Sequence, residues 1–92
     1  MATQDLSDPF PANKQPQLAF AIYPNPWEQG PLYIQCPSDN PKQISIYNVM
    51  GELIYQQITQ EDQIDLPGLE TGIYLIQVTQ DQKTGIQRLV VK

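Results

Sequence analysis

The side chains that could perform catalysis are few in this chain of 92 residues. Without a histidine, the single cysteine, Cys36, and the serines have no ordinary base to activate them as nucleophiles. The carboxylates Glu61, Asp62 and Asp65 are close in sequence, as paired acids or weak calcium ligands would be, but they lack the glycine and spacing of a calcium loop. A solvated turn explains these carboxylates, and a buried thiol explains Cys36, which ends an apolar run. We therefore predict no enzyme activity, no metal and no cofactor.

The charge of the chain argues against two classes of partner. The net charge is -5, and the basic residues are scattered along the sequence. They are Lys14, Lys42, Lys83, Arg88 and Lys92. Nucleic acid and anionic membrane are poor partners for such a surface. No apolar run approaches the roughly 20 residues of a membrane helix, so we expect no membrane insertion.

The elements that must position any functional side chain are β-strands. Residues 1–17 are polar and interrupted by proline, which is typical of a flexible linker or an end segment, and residues 18–92 are predicted to form one domain. In that domain, short runs of β-branched, aromatic and leucine residues alternate with turn residues. The predicted strands are Leu18-Tyr23, Leu32-Cys36, Lys42-Val49, Glu52-Thr59, Gln63-Leu66, Ile73-Thr79 and Ile86-Lys92.

Two connections indicate antiparallel neighbours. Met50-Gly51 suits a tight hairpin because glycine tolerates positive φ, and Asp81 to Gly85 suits a longer hairpin loop. About seven short strands in a chain of this length predict an all-β, immunoglobulin-like sandwich of antiparallel strands.

Two segments carry more specific information about the fold. In Tyr23-Pro24-Asn25-Pro26-Trp27, two prolines remove backbone donors, so the strand must stop there and form a rigid corner, with Trp27 packed at the edge of the core. Leu69 to Tyr74 has the pattern of a tyrosine corner, in which a tyrosine hydroxyl at the start of a strand bonds to upstream backbone. Both segments are explained by fold alone.

Taken in order, four motifs resemble the type A C-terminal sorting domain of the type IX (Por) secretion system. The resemblance runs from about Phe20 to the last residue. The motifs are Tyr23-Pro24-Asn25-Pro26, Ile44-Ser45-Ile46-Tyr47-Asn48-Val49-Met50-Gly51, Leu69-Glu70-Thr71-Gly72-Ile73-Tyr74 and Arg88-Leu89-Val90-Val91-Lys92.

The resemblance implies a secretion signal. Such domains direct a larger cargo protein across the outer membrane to the cell surface or medium, and their partner is the outer-membrane secretion machinery. In many members a sortase-like peptidase then removes the domain and attaches the cargo to the surface; the cleaved bond here would fall within Ala2-Gln17. Cargo also needs a signal peptide, which Met1 to Pro11 does not resemble. We therefore expect this chain to be a C-terminal piece of a longer protein.

The family places much of its signal in the last two strands. The resemblance therefore implies that recognition uses Gly72, Tyr74, Arg88, Leu89, Val90, Val91 and Lys92. Gly72 and Tyr74 would set the turn into the predicted sixth strand. The seventh, if it lies at a sheet edge, would offer unpaired backbone groups for strand addition. Two interpretations of Arg88 and Lys92 stay open: they contact the receptor, or they keep this edge soluble.

Two alternatives concern partners. The first is an immunoglobulin- or fibronectin-like accessory module that binds carbohydrate or protein at the cell surface, which would present a row of exposed aromatics such as Tyr33, Tyr47 and Tyr55. The second is a weak homodimer formed through edge strands.

Overall fold

The computed structural model describes residues 17–92, and the described chain is all-β. The predicted linker therefore lies outside the described residues except for Gln17. The strands are β1 (Ala21–Tyr23), β2 (Pro31–Gln35), β3 (Lys42–Tyr47), β4 (Leu53–Thr59), β5 (Gln63–Asp65), β6 (Gly72–Gln80) and β7 (Lys83–Val91). No helix long and apolar enough to cross a membrane occurs between residues 17 and 92.

The strands form two antiparallel sheets. One has the order β1-β2-β5 and the other has the order β4-β3-β6-β7. Every pairing within the sheets is antiparallel. The predicted seven-stranded antiparallel sandwich is confirmed.

The core lies between the sheets and follows the alternation of each strand. Ile44 and Ile46 of β3 stand opposite Val78 and Ile76 of β6, and all four side chains are fully buried. Because successive side chains of a strand point to opposite faces, the residues between them face away from the core. The inner face of β6 continues to Gln80, whose Nε2 donates to the carbonyl of Ser38 at 3.0 Å and is thus satisfied despite its burial.

The hairpin between β3 and β4 has the predicted antiparallel pairing and glycine turn, but its loop runs over residues 48–52 instead of Met50-Gly51 alone. Gly51 has φ of +84°, and its N–H donates to the Asn48 carbonyl at 2.9 Å. The Asn48 side chain also accepts the N–H groups of Met50 (2.9 Å) and Glu52 (3.0 Å). An asparagine before the glycine therefore fixes this turn through local hydrogen bonds.

Two predicted boundaries differ from the structure by three residues, and the others agree to within two. The first strand begins at Ala21 instead of Leu18, because Leu18 leaves the β1-β2-β5 sheet and bonds to Thr84 of β7. The loop predicted from Asp81 to Gly85 is a two-residue turn, Asp81 and Gln82, with φ of 54° and 66°. Positive φ at both central residues is the geometry of a type I′ hairpin. Because this turn is short, β7 begins at Lys83.

Candidate recognition site at the last strand

Strand β7 lies at the edge of the four-stranded sheet, but its outward backbone groups are largely occupied. It pairs with β6 on one side. On the other side, the segments before and after β1 bond to it at both of its ends. Strand addition along the whole of β7 would therefore require these segments to leave.

Asn25 provides the first of these bonds. Its Nδ2 donates to the Arg88 carbonyl at 2.9 Å, and its Oδ1 accepts the Val90 N–H at 2.9 Å. The side-chain amide thus occupies the donor and acceptor positions that a neighbouring strand would fill. Asn25 lies between Pro24 and Pro26, just after β1 ends at Tyr23, and both prolines follow cis peptide bonds.

Trp27 extends the same pairing with its backbone. Its N–H donates to the Val90 carbonyl at 2.7 Å, and its carbonyl accepts the Lys92 N–H at 2.9 Å, which makes a parallel bridge with Val91. The indole is 5% exposed, and its Nε1 donates to the Gly30 carbonyl at 3.0 Å. β1 ends at Tyr23 and Trp27 is buried, as expected, and the backbone of Trp27 holds the end of β7.

The start of β7 is fastened by the chain before β1. The Leu18 N–H donates to the Thr84 carbonyl at 3.1 Å, and the Gln87 side chain donates to the Phe20 carbonyl. Gly85 lies under this contact: a methyl group there would overlap the Leu18 carbonyl oxygen and lie 2.9 Å from Phe20 Cε1. Glycine is required because two backbones approach each other closely.

The predicted tyrosine corner is present at the start of β6. The Tyr74 hydroxyl donates to the Glu70 carbonyl at 2.7 Å. Tyr74 stands opposite Leu89 of β7, and both side chains face the core. Gly72 opens β6 opposite Val91. These residues hold the β6-β7 hairpin in the sandwich.

The residues implied in recognition divide into two groups by burial. Tyr74, Leu89 and Val91 belong to the core, so a partner of the folded domain does not contact them extensively. Arg88 and Lys92 are exposed and Val90 is half-buried. A shallow pocket of about 340 Å³ lies beside Lys92, lined by Pro24, Pro26, Glu28 and Gln29. The structure therefore brings Lys92 and the proline corner together.

The other candidate chemical groups lie far from β7 in the sequence and form no cluster with it. Cys36 follows β2 and is partly buried. The pKa of its thiol is raised, mainly because burial disfavours the thiolate. Nearby Lys42 opposes this rise in pKa, and Asp62 adds to it. Among residues 17–92, no three histidine, cysteine or carboxylate side chains are close enough together to hold a metal ion.

Tyr33, Tyr47 and Tyr55 do not form the row of exposed aromatics that the accessory-module alternative predicts. Tyr33 belongs to β2 in one sheet and stacks on Tyr23, with ring centroids 5.2 Å apart. Tyr47 and Tyr55 belong to the other sheet. Tyr55 pairs with core residue Ile46, whereas Tyr47 takes the opposite face. The three predicted rings therefore do not share a surface.

Two residues in the contact between β7 and the chain before β1 differ from their sequence prediction. The sequence predicts a loop at Gly85, although a glycine inside an alternating strand is a recognised sign of close backbone approach. Leu18 was assigned to the first strand because its run of apolar residues is continuous with β1. No local signal shows which strand Leu18 contacts.

Comparisons with known proteins agree with this architecture. Residues 21–92 match the family described as "Secretion system C-terminal sorting domain". A region of the protein named "Ulvan lyase NLR42" from Nonlabens ulvanivorans is 30% identical over 83 residues. The match covers 86% of this chain and only 15% of that relative. From its sequence motifs, its sandwich and a family match that includes every strand, the chain belongs to the secretion system C-terminal sorting domains, the sorting signals of type IX secretion.

Proposed function

We propose that this domain is a sorting signal that the secretion machinery recognises in its folded state, with the sandwich intact. Membership in the family implies export to the cell surface or the extracellular space. The observation that supports a folded signal is the fastening of β7: Asn25 and Trp27 fix the backbone of residues 88–92. The backbone of Arg88 and Lys92 is thereby held in place, while both side chains are exposed, which supports a role in recognition.

We propose that the cargo precedes residue 17. The chain spans about one seventh of the relative it matches, so the name of that relative describes a protein much longer than this domain. The activity of the cargo is carried elsewhere in its chain. Removal by a sortase-like peptidase would cut within Ala2–Gln17, ahead of Leu18, whose N–H donates to Thr84 of β7.

A reporter fusion tests whether the domain is a sorting signal. A signal peptide and a fluorescent reporter are fused ahead of residues 1–92, and the fusion is expressed in a bacterium with an intact Por system. We expect the reporter at the surface or in the medium. A fusion without the domain and a fusion lacking Gly85–Lys92 should both stay in the periplasm. Because that deletion removes most of β7 and so disrupts the fold, the amount of intact reporter is measured in each case. Periplasmic retention of the complete fusion would contradict the proposal.

We expect self-association through a sheet edge at β4. Among residues 17–92 this strand pairs with β3 alone, and its seven residues, Leu53 to Thr59, include neither a charge nor a proline. Natural edge strands usually carry such residues to prevent pairing between molecules. A homodimer of this kind would give a molar mass that rises with concentration in sedimentation equilibrium and is reduced by Gln56→Pro, which cannot donate a strand hydrogen bond.

A further inference from the structure

The outer face of the four-stranded sheet has a composition that the rest of the chain does not share. The register places 14 residues on this face. They are Gln43, Ser45, Tyr47, Leu53, Gln56, Ile58, Ile73, Leu75, Gln77, Thr79, Thr84, Ile86, Arg88 and Val90. The chain has 10 acidic residues, yet none lies on this face, and Arg88 is its single charge. An acidic protein therefore presents one whole sheet face without a carboxylate.

Apolar side chains surround Arg88 on this face. Leu75 stands directly opposite Arg88, and Ile73 stands opposite Val90. Ile86 and Val90 flank Arg88 two residues away on β7, on the same side of the strand. Leu75 and Ile73 are each 45% exposed and Ile86 is 60% exposed. We call these five residues the Arg88 patch.

The Arg88 patch continues towards β4. Tyr47 pairs with both Leu75 and Leu53, so a row of large side chains crosses the sheet from β4 to β7. Leu53 is 49% exposed. Contiguous apolar surface around an arginine and a tyrosine, depleted of lysine and acids, is the composition found at the buried centre of protein interfaces.

We propose that the Arg88 patch is the surface by which the folded domain docks on a protein of the export apparatus, and that this protein offers an apolar surface carrying at least one carboxylate. This docking surface rests on the proposed sorting function, because it specifies which surface of the sorting signal is recognised and the chemistry of the partner that recognises it. An apolar contact desolvates the guanidinium, and a carboxylate satisfies it with two parallel hydrogen bonds.

Charge decides between this partner and a second copy of the domain. Two copies packed through the same face would bring two arginines into the interface and no carboxylate, because the face has none. A buried charge without a partner is strongly unfavourable. The face therefore fits a different protein better than it fits itself.

The same face offers a matched pair of substitutions. Ile86 lies beside Arg88, whereas Ile58 lies at the opposite edge of the sheet, in a row with Gln43, Thr79 and Thr84. Both isoleucines are well exposed, at 60% and 70%. Ile86→Glu removes apolar contact and places a carboxylate that competes for Arg88. Ile58→Glu makes the same chemical change outside the patch.

The experiment measures export of the reporter fusion and the thermal midpoint of the isolated domain for each variant. We expect Ile86→Glu and Arg88→Glu to reduce export at least tenfold, while Arg88→Lys, which keeps the charge, reduces it less. Ile58→Glu should stay within about twofold of the wild-type domain. The thermal midpoints should change little, because these side chains are exposed.

Three outcomes would overturn the proposal. The first is undiminished export of Ile86→Glu, and the second is an equal loss with Ile58→Glu. The third is a wild-type domain that dimerises in sedimentation and becomes monomeric with Ile86→Glu, which would make the second copy the occupant. In each case, export of the wild-type fusion shows that the domain acts as a sorting signal. If the wild-type fusion is not exported, that result contradicts the proposed function instead.

Discussion

Gly85→Ala provides a direct test of how closely the chain before β1 approaches β7. The added methyl group would overlap the Leu18 carbonyl oxygen and lie 2.9 and 3.0 Å from two carbons of the Phe20 ring. One of these neighbours is backbone, so the clash cannot be relieved by a change of rotamer. Forcing one extra carbon into a packed site costs about 1–3 kcal/mol. For a domain of this size that corresponds to a fall in thermal midpoint of roughly 5–20 °C.

The matched control is Gly68→Ala. Gly68 has no atom within 4 Å of an added methyl group, and it is not among the glycines with positive φ. Alanine there should be neutral or stabilise the domain by up to about 1 kcal/mol, because it restricts the unfolded chain. Midpoints from circular dichroism and from chemical denaturation measure both variants. Equal midpoints for Gly85→Ala and the wild-type domain would refute the close approach of the two backbones.

Three further predictions concern the corner, the tyrosine and the thiol. Asn25→Ala should destabilise the domain by about 1 kcal/mol, because water replaces two exposed hydrogen bonds only in part, and should speed amide exchange at Val90. Tyr74→Phe removes the hydroxyl that bonds to Glu70 and should cost about 0.5–1.5 kcal/mol in chemical denaturation. The pKa of the Cys36 thiol is raised by burial and by Asp62, so its reaction with a thiol reagent should accelerate at higher pH than that of a free thiol, and Asp62→Asn should shift the profile to lower pH.

Each of these predictions has a contradicting result. Unchanged exchange at Val90 in Asn25→Ala, with Gln29→Ala as the control from the same loop, would show that the amide does not hold β7. A wild-type midpoint for Tyr74→Phe would mean that the hydroxyl bond adds nothing to stability. A thiol profile that Asp62→Asn leaves in place would remove that carboxylate as a cause of the raised pKa.

The features that were predictable from the sequence are local ones. Gly51 and Asn48 specify their hairpin within five residues, and Tyr74 bonds only four residues upstream. Alternation along β3 identifies Ile44 and Ile46 as inward residues, because polar Gln43 and Ser45 alternate with them. Such patterns depend on neighbours in the sequence, so they can be read without knowledge of the tertiary structure.

The features that were not predictable depend on distant pairing or on unusual turn residues. Asn25 and Val90 are 65 residues apart, and nothing near Asn25 specifies β7 as its partner. The turn at Asp81 and Gln82 adopts positive φ without glycine, whereas glycine, the residue typical of such turns, first occurs at Gly85. Ile73 and Leu75 make β6 apolar on both faces, which is a sequence signal for the apolar outer surface of this sheet.

The two parallel bridges to β7 also set the distance between the two ends of the described chain. Gln17, the first described residue, lies beside Thr84 at one end of β7, and Trp27 lies beside Val91 at the other end, next to Lys92. The seven residue steps between Thr84 and Val91 correspond to about 23 Å of extended strand. Gln17 and the exposed Lys92 are therefore separated by about the full length of this strand.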